Sequence, residues 1–451
     1  MATWKTVKLG DFLTPYRIEH TIRSDQDYRQ VTISKSGNIS LRGVKSGSKI
    51  GRKRQFQIDL IRYPNTVLFT RQGLLDGAIG IAPSEIDGCV VTENMPMMSV
   101  NTDVVSIEYL RKLLVSDYFF DKVRKLKIVG SAQKSIHERD LLQVELDLPE
   151  KSHQLETIKK FIVLDSEQAQ LVSELAHQQS LLKKLRQQIL QEAIEGKLTA
   201  DWRSQNPDIE PASELLKRIV AEKAQLVKDK KIKAQKLLPP ITDEEKPFEL
   251  PKGWEWCRIG DIGEIKVGAT PDRNNLEYWE GSVNWVSSGE VANNYISKTK
   301  EKITLKALDE SSARINPKGS VLVAMIGQGK TRGQTAILEI DAATNQNVCA
   351  IRPMKGIIPE ILWYFFLSRY EKTRSGASGG NQPALNGIKI QNTVFALPPA
   401  SETKIIVQKI REIECFLDQL ETQITQNQTH AEQLMQAVLK EAFNHNSESR
   451  G

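Results

Sequence analysis

From Phe161 the apolar positions run Phe161, Leu164, Leu171, Leu175, Leu182, Leu185 and Ile189, three to seven residues apart, with Gln168 and Gln178 falling on the same stripe. This is the seam of a heptad repeat and predicts a long helix with one narrow apolar face. A second run passes through Ile410, Ile413, Leu417, Leu420, Ile424, Ala431, Leu434 and Val438, interrupted by Asn427. So narrow a stripe suits one partner helix better than burial in a globular core, the alternative being that each helix packs on its own domain. Gln178 and Asn427 are 249 residues apart and occupy equivalent seam positions. A polar seam residue commonly fixes register, which favours pairing.

Outside these runs the pattern changes. Short stretches such as Thr66-Val67-Leu68-Phe69 and Ser320-Val321-Leu322-Val323 read as strands, and Glu108 to Leu126 and Glu360 to Arg369 as helices, so each region is α+β or mixed α/β. Pro211-Ala212-Ser213-Glu214 opens a short amphipathic helix through Leu215, Leu216, Ile219 and Val220. A linker follows, with Lys228-Asp229-Lys230-Lys231, Pro239-Pro240, Asp243-Glu244-Glu245 and Pro247.

The chain also repeats itself. Trp4 with Leu9-Gly10-Asp11-Phe12 is echoed by Trp254 with Ile259-Gly260-Asp261-Ile262. Gly130-Ser131-Ala132-Gln133 with Ile136 is answered by Gly379-Gly380-Asn381-Gln382 with Leu385, and Leu148-Pro149 by Leu397-Pro398. The same offset carries Ser152 onto Ser401, Lys160 onto Lys409 and Glu192-Ala193 onto Glu441-Ala442. Duplication of a globular domain followed by a helix gives the predicted organisation: a first domain over 1–150, a central helix over 151–203, and a short helix with linker over 204–250. A second domain over 251–400, a C-terminal helix over 401–443 and a flexible tail over 444–451 complete it. If a pseudo-twofold axis relates the copies, the two long helices run antiparallel as a coiled coil.

Totals narrow the function. With 451 residues and 39% hydrophobic content, more than one globular unit is expected. A net charge of +6 favours an anionic partner. Cys89, Cys257, Cys349 and Cys415 are far apart, so neither a disulfide framework nor a zinc knuckle is supported and a reducing, cytoplasmic setting is expected. Met1 to Asp11 has no apolar signal core, and no stretch is apolar enough to span a bilayer.

Basic and polar residues gather where loops join apolar strands: Lys45, Lys49, Arg52, Lys53 and Arg54, then Arg71 and Gln72, and Lys134 beside the repeated glycine segment. The second half offers Gln328, Lys330, Arg332 and Gln334, then Arg374, Asn381 and Gln382. Lys and Arg neutralise phosphates, and Arg, Asn and Gln have the fork geometry that reads guanine or adenine edges, so these are the candidate DNA contacts. A solvated surface role is the alternative for each. Ala324 to Thr331 looks like a phosphate-binding loop, but Ala324 replaces its first glycine and Gly333 to Leu338 continues as a strand rather than a helix. Neither Leu238-Pro239-Pro240-Ile241 nor Leu397-Pro398-Pro399-Ala400 has the Asn or Asp and the aromatic of an amino-methyltransferase, and His20, His137, His153, His177, His430 and His445 lack metal-ligand spacing. No catalytic or metal site is expected.

Together these residues resemble the specificity subunit of type I restriction-modification systems. The most specific pieces are Glu192-Ala193-Ile194-Glu195-Gly196-Lys197-Leu198-Thr199 with Ala200-Asp201-Trp202-Arg203, and Leu250-Pro251-Lys252-Gly253-Trp254-Glu255-Trp256. Gly329-Lys330-Thr331-Arg332-Gly333-Gln334 with Thr344-Asn345-Gln346 is similar to a recurring form of the family's recognition domain. The resemblance implies double-stranded DNA with a bipartite target, each domain reading one half. Phe161 to Ile189, about 42 Å of helix, is of the order of one DNA turn and would act as a ruler. It further implies that two modification subunits and the restriction subunits dock here and supply the S-adenosylmethionine, ATP and magnesium sites, so that this chain binds no cofactor. The competing readings are a coiled-coil scaffold that does not touch DNA and a nucleotide-dependent DNA enzyme.

Overall fold

The computed structural model describes residues 3–51, 54–126, 135–327, 330–375 and 385–443. The fold is mixed α/β, and the chain divides into two compact units, residues 1–177 with 423–451 and residues 178–422. Its longest helices are α1 (Lys151–Ile194), α2 (Ala212–Lys228), α3 (Pro359–Ser375) and α4 (Ala400–Ala442).

In the first unit strand Trp4–Lys8 pairs antiparallel with Glu145–Pro149, which leads into α1, and Lys5 faces Leu148. A four-stranded antiparallel sheet follows in the order Leu13–Tyr16, Met97–Val100, Val67–Phe69, Ile79–Ile81. Two short helices, Ile107–Leu113 and Asp117–Arg124, cover it. Each starts at a serine, Ser106 or Ser116, whose hydroxyl accepts a backbone N–H of the first turn. Phe161 of α1 and Leu439 and Phe443 from the end of the chain are buried in the same core. A second, five-stranded sheet runs Glu19–His20, Gln55–Gln57, Val90–Thr92, Asp27–Ile33, Ile39–Ser46.

The second unit is built on the same plan. Strand Glu255–Arg258 pairs antiparallel with Val394–Leu397, and Glu255 faces Leu397 as Lys5 faces Leu148. Its main sheet repeats the order as Gly263–Val267, Val348–Pro353, Val321–Ala324, Thr335–Leu338, with Asn294–Ile296 added in parallel at the outer edge. After each opening strand an aspartate closes the turn: Asp11 accepts the Lys8 backbone N–H and Asp261 that of Arg258, both at 2.7 Å. The turn chemistry of the repeated Gly-Asp pair is thus the same in both halves.

Within the first unit the start of α1 meets the end of α4, with the rings of Phe161 and Phe443 5.8 Å apart. Within the second unit Arg186 of α1 reaches Asp418 (2.6 Å) and Glu421 (2.9 Å) of α4, Lys409 donates to the Leu198 carbonyl, and Thr199 and Arg203 meet Glu402. As residue number rises on one side it falls on the other, so α1 and the turn after it run antiparallel to α4 here. Of the predicted seam, Phe161, Leu175, Ile410, Leu417 and Ile424 are buried, and Leu164, Leu182, Ile189, Ile413, Leu420 and Val438 are half-buried. Leu171 and Leu185 are exposed, and Leu434 is turned out to solvent at 66% exposure, with Met435 and Leu439 packed inward beside it. A helix of 3.6 residues per turn drifts about 20° per heptad from a strict 3.5 spacing, which moves the buried stripe over by one residue near the end of α4.

The turn after α1 is fixed by one carboxylate. Glu402, at the start of α4 and with its side chain fully buried, accepts hydrogen bonds from Thr199 Oγ1 (2.6 Å), Trp254 Nε1 (2.8 Å) and Arg203 Nε (3.1 Å). Gly196, at φ +72°, lets the chain turn there, and a side chain at that position would collide with Pro251 and Trp254. The two signature segments of the sequence therefore meet at a single buried acid.

Candidate nucleic-acid interface

In the second unit one edge of the main sheet collects four loops. Strand Gly263–Val267 ends there, Val348–Pro353 and Asn294–Ile296 begin there, and Val321–Ala324 turns into Thr335–Leu338. The loops are tied together by backbone bonds from Ala269 N–H to the Thr344 carbonyl (2.8 Å), Met325 N–H to Asn347 (2.8 Å) and Gly333 N–H to Ala324 (2.9 Å). Thr270 Oγ1 donates to Gln346 Oε1, and Asn293 Oδ1 accepts the Thr335 backbone N–H (3.0 Å). Lys330 is exposed at this edge, its carbonyl held by the hydroxyl of Tyr370 on α3 (2.6 Å), and Arg332 and Gln334 are half-buried beside it. Gly333 sits at φ +83° against Thr373 and Tyr370, a left-handed backbone position that favours glycine. Strand Val321–Ala324 pairs with strand Thr335–Leu338, and the described residues from Lys330 onward run into the second strand without a helix.

The first unit gathers the equivalent loops at the equivalent sheet edge: the residues after Tyr16, those before Met97, and the turn between Phe69 and Ile79 that carries Arg71 and Gln72. Gln72 is exposed. Arg71 is not, for its guanidinium grips Glu138 with both forks filled: Nε to Oε2 at 3.1 Å and Nη2 to Oε1 and Oε2 at 3.0 and 2.9 Å. Its backbone is held as well, donating to Asn94 and accepting from Ile136. Glu138 also receives Arg17 Nη2 at 2.9 Å. Burial alone would raise the Glu138 carboxyl, but its own backbone N–H, Arg17 and Arg71 outweigh burial and hold it below the usual glutamate value. Arg17 and Glu138 carried no sequence signal, since neither lies in a basic cluster.

Lys45, Lys49 and Arg54 belong to the other sheet of this unit. Lys45 is exposed on the edge strand Ile39–Ser46, Lys49 is exposed in the turn Gly47–Lys49, and Arg54 stands 4.0 Å from Glu19. Arg52, Lys53, Lys134, Gln328, Asn381 and Gln382, the repeated glycine segments and the tail over 444–451 lie outside the described residues, as does the Arg374 side chain. Among the described residues no group of three His, Cys, Asp or Glu side chains is placed to hold a metal ion, and no helix is long and apolar enough to cross a membrane.

Residues 251–430 match the family model for the type I restriction modification DNA specificity domain. The type I restriction enzyme EcoAI specificity subunit of Escherichia coli is 36% identical over 248 residues, which is 51% of this chain and 39% of that protein. The chain spans less than half the length of the first three curated relatives it matches. Among solved structures, the HsdS subunit from Thermoanaerobacter tengcongensis aligns over 98% of this chain and 97% of its own, with a TM-score of 0.53 and 17% identity. A chain from work on complex assembly and conformational transition of the type I R-M system aligns over 98% of both, with a TM-score of 0.59 and 16% identity. These two likenesses are of fold. The matched domain lies in the second half of the chain, and the named relatives are similar over about half of it.

Proposed function

We propose that this chain is the DNA-reading, non-catalytic subunit of a type I restriction-modification complex. Residues 1–150 and 251–400 each read one half of a bipartite target, and α1 and α4, paired as an antiparallel coiled coil, set the unread gap. The helices dock two modification subunits for adenine methylation and, with the restriction subunits, support DNA cleavage, all in the cytoplasm. S-adenosylmethionine, ATP and magnesium belong to those partners.

The observation that carries this reading is the sheet edge shared by both units: the same strand order delivers polar, basic loops to the same place twice. Two equivalent readers on one chain suit a split target better than a single continuous one. Lys330, Arg332, Gln334 and Gln346 are the contacts proposed for the second half; for the first, Gln72 is proposed at the equivalent edge and Lys45, Lys49 and Arg54 on the neighbouring five-stranded sheet.

The test is adenine-methylation mapping of cellular DNA in cells carrying this chain and its neighbouring modification subunit, compared with a chain whose residues 251–400 come from another family member. A split motif that changes in one half supports modular reading. An unchanged methylation pattern leaves a scaffold that does not touch DNA.

A further inference from the structure

Glu138 is shared unequally by two guanidiniums. Arg71 takes both carboxylate oxygens with its side chain only 16% exposed, and its backbone is pinned on both sides, so it fastens the segment around Ile136 and Glu138 to the sheet edge. Arg17 is 61% exposed, leaves the strand Leu13–Tyr16 at the same edge, and gives Glu138 one nitrogen, Nη2. Its guanidinium carbon lies 6.0 Å from the Phe56 ring centroid, which limits its swing. Nε and Nη1 of Arg17 have no protein acceptor among the described residues. Two guanidiniums around one carboxylate leave a single positive charge, held in place and facing outward, one anion short of neutrality.

We propose that Arg17 is an arginine of the first unit that meets DNA, with Glu138 as the residue that positions it and Arg71 confined to a structural role. This goes deeper into the function proposed above and rests on it. The ligand chemistry is a pair of acceptor oxygens or nitrogens on DNA, presented by a phosphate or by the O6 and N7 of guanine, both of which fit a guanidinium. A surface arginine that ranges freely loses side-chain entropy on binding, whereas one already tethered to a buried acid loses less.

The experiment uses the full chain assembled with its modification subunit and compares parent, Arg17→Ala, Arg17→Lys, Arg71→Ala and Glu138→Gln in DNA affinity against salt and in the methylated motif. Arg17→Ala should weaken binding about tenfold while leaving the second half-site unchanged, with a smaller fall in melting temperature than Arg71→Ala. If the partner is guanine, the first half-site loses discrimination at one position and Arg17→Lys does not restore it. If it is phosphate, the motif stands, the slope of log affinity against log salt falls by about 0.9, and Arg17→Lys restores it. Glu138→Gln should reproduce the first-half defect well below its own melting temperature, which a purely structural acid would not do. Arg71→Ala should lower the melting temperature.

Parental affinity, motif and salt slope in Arg17→Ala overturn the assignment while leaving the proposed function intact. A parent complex with neither a split motif nor salt-sensitive binding overturns both.

Discussion

Replacing Glu402 by alanine removes the acceptor for three donors at once. Thr199 Oγ1 and Trp254 Nε1 lose their partner in a buried site, and Arg203, with its side chain 17% exposed, keeps only the Gly196 carbonyl and the face of Trp254 at 5.9 Å. Breaking a buried ion pair from one side costs about 3–5 kcal/mol because the surviving charge stays desolvated. Arg203 retains some access to water, which puts the expected loss at the lower end, about 3 kcal/mol. At about 2–4 °C per kcal/mol for a unit of this size, the second unit should melt roughly 6–12 °C lower. Differential scanning calorimetry of the intact chain reads this directly, and tryptophan fluorescence follows the surroundings of Trp254. Glu402→Gln keeps one acceptor for the indole and should lose about half as much. A loss under about 1 kcal/mol for Glu402→Ala would show that the turn after α1 is held by packing of Pro251 and Trp254 rather than by the carboxylate.

Three further outcomes follow from the same structure. The Glu138 carboxyl is held below its ordinary value of 4.5, so the stability it contributes is fully present above that pH and is lost as pH falls through the lowered value; Glu138→Gln should flatten the acid limb of stability against pH, measured by urea denaturation. Leu175, 3% exposed in α1, should not tolerate Asp: assembly with modification subunits should fail or the half-site gap should change, and a normally assembled complex with an unaltered gap refutes the helical-ruler reading. Arg186 meets Asp418 and Glu421, both exposed, so Arg186→Ala should cost no more than about 1 kcal/mol and the difference should shrink in high salt, again read by denaturant titration.

Much of the architecture was legible because it rests on periodicity and on self-similarity. The 3.5-residue spacing from Phe161 and the echo of Trp4 by Trp254 are local signals, and the pairing of Lys5 with Leu148 and of Glu255 with Leu397 is their consequence in space. Leu434 was misplaced because seam reading assumes a strict heptad where the helix keeps its own period. The partnership of Glu402 with Thr199, Arg203 and Trp254 joins residues up to about 200 positions apart, and nothing near Glu402 announces it. The same holds for Glu138: a loop arginine such as Arg71 reads as a DNA contact until the acid that engages it is found 67 residues later.

Phe443 and Leu439 lie in the core of the first unit, beside Tyr109 and Phe161, although more than 240 residues separate them from the rest of that unit. The second unit is one unbroken stretch of sequence. On a ribosome adding about 5–20 residues per second, the segment encoded later can therefore close first. The earlier one keeps an incomplete core until the final turns of α4 emerge, and a stop codon anywhere before Leu439 would remove Leu439 and Phe443 from it.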